Sequence, residues 1–422
     1  MRMAVIGAGW AGLSAAVHAC QAGHAVHVFE MAHHAGGRAR STMGNAGSRD
    51  NGQHILIGAY AETLALMRLV GAEPDRLLCR SALALCYPDG VGLTLPAGHP
   101  VPAFVRGVLR ARHWTWRERL ALLGEALRWR LSGFRGDDAA TVADLCAKLP
   151  PAVLRDLVEP LCLAALNTPM DKASAQVFLR VLKDALFADP GAADLLLPCA
   201  PLSALLADPA TSWLSRSGAT LSLGHRVQSL TSDGHGWAVD GLRFDAVVLA
   251  STAREAARLI QPISSSWSSD AYSLRYEPIV TVWLRAPGLK CRQAMTALRF
   301  DAARPAQFVF DLGALGGAQG TFAFVVSGAA DALQQGLSAT SAAVRAQAEA
   351  AFPGHFLDSA CVVDARAERR ATFACTPGLR RPAGHIARGL AAAGDHVLGP
   401  YPATLEGAVR SGINAVALAS NA

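Results

Sequence analysis

The sequence predicts an α/β protein, in which a Rossmann-like, dinucleotide-binding sheet domain carries an inserted α+β domain. Three observations predict it. A Gly-x-Gly-x-x-Gly loop joins a strand to a helix within the first thirty residues. Short apolar strands recur at 218–251 and 390–393, far from that loop in sequence. The stretches between them switch first to helical and then to mixed patterns, as an inserted domain would.

Met3–Ile6 is a short apolar run that reads as a buried strand, and Ser14–Ala22 reads as the helix after it. Between them Gly7 permits the tight turn, Gly9 lets a pyrophosphate approach the backbone, and Gly12 lets the helix pack against the strand. Trp10 and Ala11 sit where the helix offers its free N–H groups and partial positive charge to phosphate. The second strand, His27-Val28-Phe29, ends in Glu30, placed to accept from both hydroxyls of an adenosine ribose. A helix follows at Tyr60–Val70. Residues 76–204 are mostly helical, and 218–251 alternate as strands that include Arg226–Leu230, with a turn at Ser232–Gly236. Strands at Ile279–Leu284, Gln307–Asp311, Thr321–Ser327 and 360–366 surround a helix at 338–352, and Ile263–Ser269 reads as a surface connection. Strand Leu390–Ala393 and helix Thr404–Ser420 close the chain. Residues 1–75, 205–265 and 385–422 are therefore assigned to the nucleotide domain, and 76–204 and 266–384 to the substrate domain.

The 422 residues suffice for two or three domains, and 51% are hydrophobic with a mean hydropathy of +0.25. The longest charge-free runs, 3–29 and 312–330, are broken by glycines and polar residues, and neither reads as a membrane span. The apolar start after Arg2 is broken by the three glycines, which excludes a secretory signal. Nine cysteines, an odd number with no C-x-x-C pair, fit a reducing cytoplasm and exclude a zinc or disulfide framework; no metal is expected.

Charge is concentrated in one place. Between Pro102 and Arg135 eight arginines face only Glu118 and Glu125, so this segment carries +6, the net charge of the whole chain. Trp114, Trp116 and Trp129 stand among leucines and valines in the same stretch. A basic helix with an apolar and aromatic side suits an anionic membrane surface, and the expected location is cytoplasmic, peripheral on the membrane's inner face. A basic face over an ordinary core is the plain alternative. Nucleic acid is excluded by the apolar content and the lack of a recognition motif.

Three further stretches carry chemistry. In Ala35-Gly36-Gly37-Arg38, Gly37 leaves the backbone bare and Arg38 can fork onto phosphate oxygens. In Asp50-Asn51-Gly52-Gln53-His54, Gly52 and Gln53 would lie against a cofactor ring, and His54 could give or take a proton. Near the C-terminus, Gly394 and Asp395 precede Tyr401 and a helix starting at Thr404-Leu405-Glu406. That helix end would stabilise the negative charge of a reduced flavin, with Asp395 bonding a ribityl hydroxyl. Together these stretches indicate FAD, held non-covalently, rather than NAD.

The runs Gly-Ala-Gly-Trp-Ala-Gly-Leu, Gly-Gly-Arg-Ala-Arg-Ser, Asp-Asn-Gly-Gln-His-Ile-Leu-Ile-Gly-Ala-Tyr and Tyr-Pro-Ala-Thr-Leu-Glu-Gly-Ala-Val resemble those of the FAD-dependent amine oxidase and phytoene desaturase superfamily. Within it they are most similar to the hydroxysqualene dehydroxylase family, also described as squalene-associated FAD-dependent desaturases. The resemblance implies a backbone contact from Val227 to adenine and a C30 polyprenyl lipid substrate drawn from a bilayer. It also implies reductive loss of a hydroxyl, with hydroxysqualene and reduced FAD giving squalene in hopanoid biosynthesis. The resemblance assigns no catalytic acid; His54 and Tyr401 are the candidates for the proton route, and no external electron donor is identified. Three rivals are an oxidative desaturase of phytoene or a squalene-like polyene, an amine oxidase, for which the sequence offers no assignable aromatic pair, and a prenyl-lipid carrier of the GDP-dissociation-inhibitor type.

Overall fold

The structure, a computed structural model, describes residues 1–44, 47–358 and 361–421. Strand Arg2–Ile6 lies inside a six-stranded sheet in the order Thr220–Leu223, Ala25–Glu30, Arg2–Ile6, Ala246–Leu249, Leu390–Ala392, His385–Ala387. The first five run parallel and the last pair antiparallel. A parallel strand is covered on both faces, which is why Met3–Ile6 and Ala246–Leu249 are apolar without alternation. The sheet draws its strands from three stretches well separated along the chain.

Helix Trp10–Gln21 is buried along most of its length because it runs between this sheet and the C-terminal helix Leu405–Ser420. Small residues let the two helices approach. A Cβ on Gly412 would lie 2.3 Å from the Ala11 carbonyl oxygen, and Ser14 Oγ donates to the Val409 carbonyl at 2.9 Å.

A second, antiparallel sheet has the order Met295–Ala297, Phe308–Asp311, Thr321–Val326, Tyr276–Arg285, Val362–Phe373. The two-residue period sorts its side chains. Val282, Leu284, Phe322 and Phe324 pack with Val344 and Ala348 of helix Leu337–Ala351, while Thr281, Phe308, Phe310 and Val325 turn to the other side, toward a large cleft. Helices Pro100–Arg110, Trp116–Leu131, Glu159–Leu166 and Ala175–Leu186 form a further layer, with a π-helical turn at Leu154–Val158.

Four local expectations change. Ile263–Ser269 is not a surface connection, because helix Ser265–Ser273 forms there, with buried Trp267 donating Nε1–H to the Ala383 carbonyl at 2.8 Å. The expected strand at Arg226–Leu230 begins only at Leu230. The expected 360–366 strand is Val362–Phe373, with residue 360 outside the described residues. Trp114 and Trp129 belong to the core, leaving Trp116 as the exposed tryptophan of the basic segment. Among the described residues no helix is long and apolar enough to cross a membrane.

Candidate active site

A cleft of about 790 Å³ opens where the parallel sheet ends, and it is walled by both domains. Gly7 makes the turn at φ +111°, where a Cβ would lie 2.5 Å from the Ala250 oxygen. Gly12 abuts the Gly7 carbonyl and does not line the cleft. At Gly9 a Cβ would find nothing nearer than Gly37 Cα at 3.9 Å, so the backbone lies open. Gly9 also caps helix Trp10–Gln21 without any side-chain bond to its first N–H groups. A bare turn before uncapped donors is what a phosphate requires. Gly36 N–H donates to the Ala8 carbonyl at 2.8 Å, which holds Gly37 and Arg38 against this loop.

Glu30 lines the cleft, and its two oxygens each accept one backbone bond, from Ala8 N (2.7 Å) and Ala32 N (2.8 Å). A carboxylate has about four acceptor sites, so capacity for ribose hydroxyls is left. Val227 also lines the cleft, with its carbonyl already accepting from Arg258 at 2.5 Å. Trp10 is fixed by Nε1–H donation to the Ala39 carbonyl at 3.0 Å.

Arg38 differs from a free phosphate fork. Its Nη1 donates to the Ala371 carbonyl (2.7 Å) and its Nη2 to Asp395 Oδ1 (2.5 Å), tying the nucleotide domain to the end of strand Val362–Phe373. Burial works against the Asp395 carboxylate, but the Arg38 charge and the His396 ring hold its pKa well below the usual carboxylate range. Gly394 stands at φ +155°, and a Cβ there would strike the His396 ring.

Helix Leu405–Ser420 begins with Thr404, whose Oγ1 accepts from Gly407 N at 2.9 Å. Leu405 and Ala403 line the cleft, and Ala403 takes an uncommon positive φ of 56°. Glu406 is a correction. It is fully buried, faces helix Ala61–Leu69 and accepts from Glu62 N (3.1 Å), Thr63 N (2.9 Å), Thr63 Oγ1 (2.7 Å) and Arg410 Nε (2.7 Å). The second residue of a helix points its side chain sideways, and here that side meets another helix's N-terminus rather than the cleft.

Both candidates for the proton route are also corrected. Tyr401 does not line the cleft: its ring lies between the Arg180 and Arg410 guanidiniums at 5.0 and 5.1 Å, and its hydroxyl accepts from Arg180 at 3.3 Å. His54 does line it, beside Gly52 and Gln53, with Nε2 3.3 Å from the Asn51 carbonyl. Burial, reinforced by the Arg38 charge, pushes its pKa down to about 4, so at neutral pH the ring has no spare proton. Because the unfolded chain takes up that proton first, this group's stabilisation is complete above pH ~6.5 and is lost as pH falls toward ~4. Urea unfolding of the apoprotein at pH 7 and pH 5 should give a difference about 2 kcal/mol larger for wild type than for His54→Gln. Equal differences would contradict a buried neutral ring.

Several cleft residues had no motif to announce them. Ser251 Oγ and His396 Nε2, together with Arg40 Nε from the Gly-Gly-Arg-Ala-Arg-Ser run, are buried polar atoms with no partner among the described residues, and all three residues line the cleft. Such orphaned groups fit a polar, multi-oxygen ligand. Glu368 lines the cleft from strand Val362–Phe373 and accepts from Asn51 Nδ2 (3.2 Å) and Arg370 N (3.0 Å). The open Gly9 turn, the two helix ends and the orphaned donors together fit a flavin dinucleotide.

Residues 10–419 match the family described as flavin containing amine oxidoreductase. The hydroxysqualene dehydroxylase of Sinorhizobium fredii is 30% identical over 98% of this chain and 97% of its own. That of Rhodopseudomonas palustris is 31% identical over 98% of this chain and 97% of its own. A solved oxidoreductase from Methanosarcina mazei has the same fold, with a TM-score of 0.76 at 16% identity over 99% of this chain and 100% of its own. The cofactor is FAD, and the protein is an FAD-dependent oxidoreductase. With a family match over nearly its full length and two relatives at 30% identity or more, the chain belongs to the flavin-containing amine oxidoreductases and, within them, to the hydroxysqualene dehydroxylase family.

Proposed function

We propose that this protein removes the hydroxyl group of hydroxysqualene reductively, as a step in squalene and hopanoid biosynthesis. What carries the reading is one cleft that joins a dinucleotide cradle to an apolar, aromatic wall, in a chain similar along its length to hydroxysqualene dehydroxylases. Reduced FAD, when bound, supplies the hydride, so that hydroxysqualene and reduced FAD give squalene, water and oxidised FAD.

The chain's own residues have three tasks. Phe308, Phe310, Val325 and Ile279 present an apolar wall that keeps water from a cation-like allylic carbon, and the two aromatic faces favour positive charge. Arg38, held by Asp395, bonds the Ala371 carbonyl across the cleft and so ties its two walls together. Hydroxide is a poor leaving group, so a proton must reach the oxygen as its bond to carbon breaks. We assign that proton to Glu368. Glu368 lines the cleft opposite Ile279 in the sheet register and is positioned by Asn51 and Arg370, so that it can relay a proton taken up from solvent.

Glu368→Gln should lower kcat by about 10²- to 10⁴-fold with flavin content unchanged. An undiminished rate would place proton delivery elsewhere. The reaction itself is tested by offering hydroxysqualene, squalene and phytoene separately to the holoenzyme with an external reductant or oxidant. Squalene from hydroxysqualene supports the proposal; newly desaturated products from squalene or phytoene support oxidative desaturation instead.

A further inference from the structure

The helix Trp116–Leu131 is apolar on two opposite sides. Its inner side carries Leu122, Ala126 and Trp129, all buried, and these form part of the wall of an apolar cavity of about 40 Å³. On the outer side Trp116, Leu120, Leu127 and Leu131 fall within an arc of about 60°, taking the helix's 3.6 residues per turn. They are 63%, 62%, 56% and 79% exposed. Single exposed leucines are ordinary, but a continuous row along a helix is not. The row is also held in place, since the Arg119 guanidinium lies 4.8 Å from the centre of the Trp116 ring.

Positive charge borders this row. Arg117 and Arg128 flank it on one side and Arg130 on the other, with Arg106, Arg110 and Arg112 exposed on the preceding helix and turn. Of the two local acids, Glu118 closes a capping box with Thr115, and Glu125 pairs with Arg128 at 2.5 Å and offsets that one charge, leaving the other arginines in excess.

We propose that this face docks on an anionic phospholipid bilayer, the leucines and Trp116 entering the headgroup boundary and the arginines meeting lipid phosphates. An apolar strip edged by cations is complementary to such a surface. A second copy of the chain fits less well, because a two-fold contact would set each arginine cluster against its own image. The docked helix would place the apolar cavity directly behind the membrane-facing row. Docking does not depend on the direction of electron flow at the flavin.

The test is co-sedimentation of the FAD-loaded protein with vesicles of phosphatidylglycerol and phosphatidylcholine, and of phosphatidylcholine alone. Wild type should bind the anionic vesicles at least about tenfold more tightly and release in high salt. Trp116→Ser, Leu120→Ser, Leu127→Ser and Leu131→Ser combined should weaken binding by about tenfold or more, with flavin content reporting an intact fold. Arg106→Gln, Arg110→Gln, Arg112→Gln and Arg117→Gln combined should abolish the preference for anionic vesicles. Equal sedimentation of wild type and both variants would overturn the proposal. So would a wild-type dimer that the serine variant turns into a monomer without any change in vesicle binding, which would make the row a contact between copies.

Discussion

Gly12→Ala is expected to yield a protein that purifies without flavin and is destabilised by about 3 kcal/mol or more. The Cβ it introduces would lie 1.8 Å from the Gly7 carbonyl oxygen, 2.9 Å from the Gly7 carbonyl carbon and 3.2 Å from Ala250 Cβ. Two of these neighbours are backbone of the strand-to-helix turn, so no side-chain rotation relieves the overlap. Helix Trp10–Gln21 must move off the sheet, carrying its free N–H groups away from Gly9. Gly9→Ala separates packing from cofactor binding. Its Cβ would meet no protein atom nearer than 3.9 Å, so the apoprotein should unfold at the same urea concentration as wild type while binding FAD far more weakly. Wild-type flavin content in Gly9→Ala would contradict a pyrophosphate lying over this turn.

The second large effect is expected far from the flavin chemistry, at Glu406. Glu406→Ala removes four hydrogen bonds from a fully buried carboxylate, leaving the N–H groups of Glu62 and Thr63, the Thr63 hydroxyl and the Arg410 guanidinium without their partner. Truncating one side of a buried charged network costs about 3 to 5 kcal/mol, and the N-terminus of helix Ala61–Leu69 also loses a favourable negative charge. Urea unfolding should show this loss, while flavin per folded molecule stays at the wild-type level. Loss of flavin with unchanged stability would return Glu406 to the cofactor site.

These two positions also show what a sequence makes legible. The Gly7–Gly12 turn, Glu30 and the Asn51–His54 stretch are read from local chemistry, because bare backbone and a helix end act on whatever lies beside them. Glu406 and Tyr401 lie in an equally suggestive stretch, yet neither side chain faces the cleft. Their direction is set by helix Ala61–Leu69 and by Arg180, partners far away in the chain. Glu368 shows the reverse. It sits on a strand with no motif, and it reaches the site through that strand's pairing with Tyr276–Arg285, where Asn51, 317 residues away in sequence, bonds to it. The same reason explains the Ser265–Ser273 helix, which a serine-rich composition conceals and the burial of Trp267 requires. In the basic segment the composition reads correctly as apolar and cationic, but only packing decides that Trp114 and Trp129 go inward while Trp116 and three leucines of its helix stay outside.

The most direct measurement of the proposed reaction is a single turnover without oxygen. Enzyme carrying fully reduced FAD is mixed with hydroxysqualene while flavin absorbance and lipid products are followed together. The account predicts reoxidation of the flavin with one squalene formed per flavin, and no reoxidation with squalene in place of hydroxysqualene. Flavin that stays reduced with no squalene formed, together with oxidised enzyme that becomes reduced on addition of squalene or phytoene, would contradict it.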